Sequence, residues 1–225
     1  VQLAEKLGVQ NVITFSGCPG DSETSQKPNW VTCPWPTDYL DILEWQWEKV
    51  ARPYWSEAAS FAGKHNVRVA IELHPGFVAY HTESFWRLRE IGGNAIGVNF
   101  DPSHLFWQGM DPLACIRELG DAIYHVHMKD VYWSDKPTEA GVFGGHLNFG
   151  DRRRFWDFRS LGRGKIDFEE IIRALNAINY TGPLSVEWED GGMDREFGAA
   201  EAAAFVKRLD FPPSAVAFDA AFERK

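Results

Sequence analysis

Four short motifs in this chain combine acidic and imidazole side chains in a pattern that could hold a divalent metal ion. Each motif lies at the end of a run of apolar residues. They are IELH with Glu72 and His74, NFDPSH with Asp101 and His104, HVHMKD with His127 and Lys129, and SVEWED with Glu187 and Glu189. Three carboxylates and one imidazole, one group from each motif, would suit Mn²⁺, Mg²⁺ or Co²⁺ better than a structural zinc, which prefers Cys and His. The sequence therefore predicts one catalytic divalent cation.

The elements that must position these motifs alternate between short apolar strands and amphipathic helices. Helices of ten or more residues between strands indicate βαβ units and a parallel sheet. We predict strands at 11–16, 67–73, 95–100, 122–126 and 183–186. We predict helices at 1–7, 38–63, 83–91, 111–119, 168–179 and 199–209, with loops at 17–36 and 132–165.

Such strands fit either a doubly wound sheet or a (β/α)8 barrel, and the position of the polar side chains favours the barrel. No GxGxxG or GxxxxGK[ST] motif follows any strand, so nucleotide-binding signatures are absent. Four successive strands each deliver a charged or imidazole group at their C-terminal end, and a barrel gathers such ends around one axis. Because alternate side chains of a barrel strand point inward, Glu72 and His74 can face the same way.

The composition favours a soluble domain and argues against two classes of partner. With 225 residues, 44% of them hydrophobic, the chain can bury the core of a single domain, 1–225. A net charge of −9 without clustered cations argues against nucleic acid, and no apolar stretch approaches the roughly 20 residues of a membrane span. The three cysteines form no CxxC pair, which favours a cytoplasmic setting, and a homo-oligomer is compatible with all of this.

The motifs resemble the xylose-isomerase-like sugar phosphate isomerase/epimerase superfamily, which includes ketose 3-epimerases and inosose dehydratases. The similarity lies in the order Glu, Asp, His, Glu on successive strands, in DPSH and HVHxKD, and in WDFRSLGRGKIDF at 156–168. It covers the whole chain and implies the C-terminal part of a TIM barrel, N-terminally incomplete, with about five of eight βα units present. The strand at 11–16 would be the fourth, and on the order of 100 residues would precede Val1, which is not an initiator Met.

The resemblance also implies roles for individual residues. Glu72, Asp101, His127 and Glu187 would be the metal ligands, with Mn²⁺ as first choice and Mg²⁺, Co²⁺ or Zn²⁺ as alternatives. Glu72 and Glu187 would in addition exchange the proton alpha to a carbonyl on opposite faces of a sugar. His104 matches the family's substrate-contacting histidine.

Several neighbouring side chains allow two interpretations. His74 and His125 either line the site or merely hydrogen-bond a ligand carboxylate. Lys129 and Asp130 either form a surface ion pair or orient the metal-binding histidine and the substrate. Arg159 is a candidate for contacting a substrate oxygen or phosphate, because its guanidinium can clamp an anion. We take as predicted substrate contacts His74, His104, Lys129 and Arg159.

Aromatic and basic residues after the strands are less specific signals. Trp107, Trp133 and Trp156 follow strands on the side where substrate would enter, so we predict that they form part of a wall. The run Arg152–Arg154 is interpreted as a solvated loop face, with phosphate binding as the alternative.

These residues favour an isomerase or epimerase that acts on a sugar, keto-sugar or sugar phosphate in carbohydrate metabolism. A dehydratase of an inosose or keto-sugar is the nearest alternative, because the same enolate serves both outcomes. An endonuclease IV-like nuclease shares the Asp-x-x-His pattern, but it needs an Asp-x-His after the HVH strand, and none occurs between His127 and Glu187. A non-catalytic sugar-binding domain would have no use for four metal ligands.

Overall fold

Five parallel strands form the centre of the fold in a computed structural model that describes residues 1–144 and 146–216. The described residues contain seven strands, in chain order β1 Asn11–Phe15, β2 Arg68–Glu72, β3 Ile96–Phe100, β4 Ile123–Met128, β5 Asp130–Trp133, β6 Trp156–Arg159 and β7 Leu184–Val186. β5 and β6 form a separate pair outside the main sheet. The main sheet has the order β1-β2-β3-β4-β7, and all its neighbouring pairs are parallel. The predicted α/β class is confirmed, and the sheet corresponds to a half-barrel.

Helices connect the parallel strands and cover one face of the sheet. They are α1 Gln2–Leu7, α2 Asp38–Trp45, α3 Arg52–Lys64, α4 Thr82–Gly92, α5 Pro102–Phe106, α6 Pro112–Leu119, α7 Phe168–Ala177 and α8 Arg195–Leu209. A π-helical segment, Gln46–Ala51, joins α2 to α3. As the sequence predicts, Asp111 and Asp167 open α6 and α7, because each carboxylate accepts a backbone N–H of the first turn. Among the described residues, no helix is both long and apolar enough to cross a bilayer.

Strand alternation separates the apolar core from the polar face of the sheet. Ile71 of β2, Phe100 of β3 and Met128 of β4 are fully buried in the cluster between sheet and helices. The residues at alternate positions, including Glu72 and Asn99, contact one another on the opposite face. The same period that builds the core therefore delivers the polar groups to one surface.

The buried amide of Gln46 fixes the long connection between β1 and α2. Its Nε2 donates to the carbonyls of Pro19, Gly20 and Asn29. Gln46 lies in the π-helical segment and its side chain is buried. The connection at 17–36 contains no helix or strand, as predicted.

The structure differs from the sequence prediction at the end of one strand, at one short helix and in one loop. β4 continues to Met128, so His127 lies within the strand rather than after it. The short helix α5 was not expected, because five residues are too few to show helical periodicity. The predicted loop at 132–165 overlaps the end of β5 and contains β6. These two strands pair antiparallel, with Val131 opposite Phe158. That pairing joins residues far apart in sequence, so local periodicity does not reveal it.

Gly97 in β3 allows the ring of Tyr124 to lie against the strand, and its replacement by alanine should destabilise the protein. A Cβ at this position would overlap the Tyr124 ring. The ring cannot move freely, because Arg68 stacks on it at 4.0 Å and its hydroxyl donates to the Asn94 carbonyl at 2.8 Å. We expect Gly97→Ala to lower the free energy of unfolding by about 1–3 kcal/mol in urea denaturation.

Gly63→Ala is the matched control for this prediction. Gly63 lies in α3, and a Cβ there meets no atom within 4 Å. Alanine should leave the free energy of unfolding unchanged or raise it by up to about 1 kcal/mol, because glycine is a poor helix former. Equal stability of Gly97→Ala and wild type would contradict the tight packing against Tyr124.

Candidate metal centre

The C-terminal ends of four neighbouring strands bring together the four predicted metal ligands. One ligand atom each of Glu72, Asp101, His127 and Glu187 lies within 4.8 Å of the others. Glu72 ends β2 and His127 lies near the end of β4, whereas Asp101 and Glu187 directly follow β3 and β7. We call these residues the quartet. The order β2-β3-β4-β7 explains their convergence, because parallel strands end at the same edge.

One carboxylate oxygen of Asp101 accepts hydrogen bonds from the first turn of α5, and the other accepts none. Its Oδ1 accepts hydrogen bonds from the backbone N–H and the hydroxyl of Ser103, at 2.8 Å and 2.7 Å, and so caps α5. Its Oδ2 is buried and accepts no hydrogen bond. A buried carboxylate oxygen without a hydrogen bond is costly unless positive charge compensates it, and here the ammonium of Lys129 lies 3.2 Å away. This oxygen and the donor chemistry of the quartet fit a divalent cation.

The imidazole of His127 presents Nδ1 to the carboxylates. This atom lies 2.9 Å from Glu187 Oε2 and 3.2 Å from Glu72 Oε2. Asn99 Nδ2 donates to Glu72 Oε2 at 2.9 Å and lies 3.1 Å from the same imidazole nitrogen. Asn99 was missed in the sequence, although its position two residues before Asp101 places both on the same face.

Opposite charges keep the two glutamates of the quartet ionised. Burial alone would raise the pKa of Glu72, but His104 and His127 outweigh it and hold that pKa well below its ordinary value. Burial also opposes ionisation of Glu187, whose pKa nevertheless falls to about 2 through His127 and Lys129. Burial disfavours the imidazolium of His127, but hydrogen bonds to Glu187 and Glu72 raise its pKa to about 9. Both glutamates are therefore negative at neutral pH.

Lys129 reaches into the quartet from the end of β4. Its Nζ donates to Glu187 Oε2 at 2.9 Å and lies 3.2 Å from Asp101 Oδ2 and 3.6 Å from Glu189 Oε2. Nζ also lies 4.7 Å from the centre of the Phe158 ring. Burial would lower the pKa of Lys129, but the charges of Asp101 and Glu187 raise it above its usual value.

Two histidine rings lie against each other beside the quartet. His104 Nε2 lies 3.3 Å from both Glu72 Oε1 and Asp101 Oδ2. The rings of His74 and His104 have centres 4.0 Å apart. Burial, followed by the proximity of His104, lowers the pKa of His74 to about 4, so His74 is neutral at physiological pH. His125 lies farther back, and its ring meets His127 edge-on at 5.5 Å.

Arg159 lies on β6, apart from the quartet. Its Nη1 donates to the Phe158 carbonyl at 2.7 Å, and its guanidinium lies 5.2 Å from the centre of the Tyr132 ring. None of the hydrogen bonds or ion pairs among the described residues joins Arg159 to the quartet.

Asp130 is buried and binds backbone groups, which excludes the surface ion pair considered for it in the sequence. Its carboxylate is 1% exposed and accepts the backbone N–H groups of four residues. They are Val131 at 2.8 Å, Gly162 at 3.0 Å, Gly164 at 2.8 Å and Ile166 at 3.3 Å. Asp130 therefore anchors the turn that follows β6, and it forms no surface ion pair with Lys129.

The basic run at 152–154 is also only partly solvated. Arg152 and Arg153 are exposed, as predicted, but Arg154 is buried. Its Nη1 donates to the Leu147 carbonyl at 2.9 Å, and its guanidinium lies 4.5 Å from the centre of the Phe149 ring. Arg154 thus binds Leu147 and Phe149 of the connection between β5 and β6. It could not be distinguished from its neighbours by residue type.

Aromatic side chains from β5, from β6 and from the end of α5 form a cluster beside His104. Trp107 and Trp156 stack with ring centres 4.3 Å apart, and Phe158 meets His104 edge-on at 5.7 Å. Trp133 packs against the same cluster. The three tryptophans proposed as wall residues therefore lie in one aromatic group. Phe158 connects this group to His104, which lies beside the quartet.

Comparison with known proteins identifies relatives of this chain. Residues 1–209 match the family model described as xylose isomerase-like TIM barrel. The chain is 36% identical over 215 residues to the protein YfiH of Bacillus subtilis, a match that covers 92% of this chain and 68% of YfiH. It is 31% identical over 149 residues to an inosose dehydratase of Clostridium perfringens, covering 66% of this chain and 49% of that enzyme. The chain thus spans about half the length of the dehydratase.

Solved structures share the fold at lower sequence identity. An IOLI protein with a bound zinc atom superposes with a TM-score of 0.61 and 19% identity, covering 93% of this chain and 66% of that one. An L-ribulose 3-epimerase superposes with a TM-score of 0.60 and 20% identity, covering 93% of this chain and 64% of that one. At this identity the similarity concerns the fold.

Proposed function

Because this chain belongs to the xylose isomerase-like TIM barrel family, we propose that it carries the metal site of an enzyme that transfers a proton alpha to the carbonyl of a sugar, keto-sugar or sugar phosphate. The convergence of Glu72, Asp101, His127 and Glu187 within 4.8 Å carries this proposal. An isomerase or epimerase is the first choice. A dehydratase is the second, favoured by the 31% identity to an inosose dehydratase.

The quartet would hold one divalent cation, with Mn²⁺ as our first choice because three of its four members offer oxygen. Mg²⁺, Co²⁺ and Zn²⁺ remain alternatives, and zinc is the metal bound to the structurally similar IOLI protein. A bound cation would polarise the substrate carbonyl and stabilise the negative charge that develops as the neighbouring carbon loses its proton.

The two glutamates would carry the proton. Both are ionised at neutral pH, so either can accept a proton from carbon. In epimerisation one ionised glutamate would remove the proton from one face. The other glutamate would take up a proton from solvent and deliver it to the opposite face, which inverts the carbon, and the first would then release its proton to solvent. In dehydration the same first step is followed by departure of the β-hydroxyl, which leaves with a proton as water.

Four further side chains would bind the sugar. His104 and His74 lie beside the quartet, where they can contact sugar oxygens. Lys129 donates one hydrogen bond to Glu187 and has further N–H donors that could reach a hydroxyl. Arg159 would contact a more distant oxygen or a phosphate, since it lies outside the quartet.

Solvent isotope exchange tests the proposal and separates the two activities. The purified protein is incubated with Mn²⁺ in D₂O with a panel of ketohexoses, keto-inositols and their phosphates, and products are followed by NMR and mass spectrometry. An isomerase or epimerase incorporates deuterium at the carbon next to the carbonyl without losing water. A dehydratase yields a product lighter by one water. Absence of both reactions across the panel would overturn the proposed function.

A further inference from the structure

Lys129 places a permanent positive charge among the carboxylates of the quartet. Its side chain is 3% exposed, whereas Glu187 and Glu189 are 32% and 48% exposed. The ammonium therefore is the buried partner, and it lies within 3.2 Å of oxygens from two members of the quartet. The ring of Phe158, 4.7 Å away, limits the approach of water on one side.

The position of Lys129 in the sheet lets it bridge both neighbouring strands. It directly follows β4, whose neighbours are β3 and β7. Asp101 follows β3 and Glu187 follows β7, so one ammonium joins the ends of three strands. Three carboxylates gathered in this small space repel one another unless positive groups such as Lys129 and His127 lie between them.

Charge balance gives this lysine a specific meaning. The quartet brings three negative charges, and a divalent cation supplies two positive ones. The ammonium of Lys129 supplies the third, which balances the quartet, while the exposed Glu189, 3.6 Å from Nζ, lies outside this count. The same ammonium and the cation share Asp101 and Glu187 as partners, however, and two positive charges at this range repel each other.

Resting on the proposed metal site, we infer that Lys129 is an internal counter-cation that holds the carboxylates together before metal binding and limits the affinity for the metal. Lys129 is thus a positioning residue for the metal centre. Two effects of opposite sign follow from removal of its charge. The metal-free protein becomes less stable, because the carboxylates repel, and the metal binds more tightly, because its competitor is gone. A merely structural lysine would weaken both properties together.

The test compares Lys129→Met with wild type by calorimetric titration of Mn²⁺ alone into metal-free protein, and by thermal unfolding with and without Mn²⁺. Wild type should bind one ion. Lys129→Met should bind Mn²⁺ at least about tenfold more tightly, from the Coulomb repulsion removed. Its metal-free protein should unfold at a lower temperature, and added Mn²⁺ should raise that temperature by more than it does in wild type.

Two variants retain a hydrogen-bonding group and one variant serves as a control. Lys129→Arg keeps the charge and should bind Mn²⁺ within about threefold of wild type. Lys129→Gln loses the charge but keeps an N–H donor for Glu187, so it should bind more tightly even where Lys129→Met fails to fold. Lys165→Met removes an exposed lysine paired with Asp135 and should leave Mn²⁺ affinity unchanged.

The outcomes separate the inference from the function on which it rests. If wild type binds Mn²⁺ and the folded neutral variants bind it equally or more weakly, the counter-cation role is wrong and the metal site stands. If wild type binds no divalent cation, both are wrong. Tighter binding in both neutral variants, with wild-type affinity in Lys129→Arg, supports the inference.

Discussion

Asp101→Asn should remove metal binding and activity while leaving the fold intact. The substitution replaces the buried Oδ2, which accepts no hydrogen bond, by an amide nitrogen that cannot bind a cation. It keeps Oδ1, which accepts both hydrogen bonds from Ser103, and asparagine is as good an N-cap as aspartate. Loss of a supporting residue alone costs about 10–100-fold in metal affinity, so loss of a direct ligand should cost at least about 100-fold.

A second aspartate in the chain provides a matched control. Asp111 also precedes a proline and caps a helix through the backbone N–H of Leu113, at 2.9 Å, but it is exposed and lies outside the quartet. Asp111→Asn should retain Mn²⁺ affinity and isotope exchange. Calorimetry, deuterium incorporation and circular dichroism on both variants make the comparison. A folded Asp101→Asn protein with wild-type Mn²⁺ affinity would remove Asp101 from the proposed ligands.

Asp130→Ala is expected to be among the most destabilising single substitutions in the chain. It would leave four backbone N–H groups without their acceptor, all from the strand and turn around β5 and β6. Buried donors left unpaired cost free energy, and we expect a loss of about 3–5 kcal/mol of unfolding free energy in urea denaturation. Asp130→Asn keeps one acceptor oxygen and should lose less.

Asp135→Ala shows what an ordinary aspartate contributes in the same region. Asp135 is exposed and pairs with Lys165 at 3.0 Å. Such surface pairs contribute about 0–1 kcal/mol, so this variant should remain close to wild type. If Asp130→Ala and Asp135→Ala lose the same free energy, the anchor at the turn contributes no more than a surface charge.

The quartet could be predicted from the sequence because its members occupy a repeated position. Glu72, Asp101, His127 and Glu187 each come at the end of an apolar strand, and parallel strands end at one edge. Asn99 was not predicted, because a single amide inside a strand has no pattern of its own. Its hydrogen bond to Glu72 and its contact with His127 depend on β2, β3 and β4 lying side by side.

Other features depend on contacts that no local pattern contains. β5 and β6 pair across a long connection, so their residues look like loop in the sequence. Arg154 is buried while its neighbours Arg152 and Arg153 are exposed, and only the carbonyls and aromatic rings around it make the difference. Asp130 follows a lysine and so suggests an ion pair, yet three of its four partners are backbone groups of a turn more than thirty residues away.

The way in which Asp130 and Arg154 close the connection between β5 and β6 has a consequence for the evolution of this fold. Asp130 binds the backbone of the turn after β6, and Arg154 binds a carbonyl within the connection. Neither residue belongs to the quartet. Insertions and substitutions between the two anchors can therefore accumulate while the strand ends keep their spacing. A lineage could thereby vary this single segment while the four residues of the quartet stay the same.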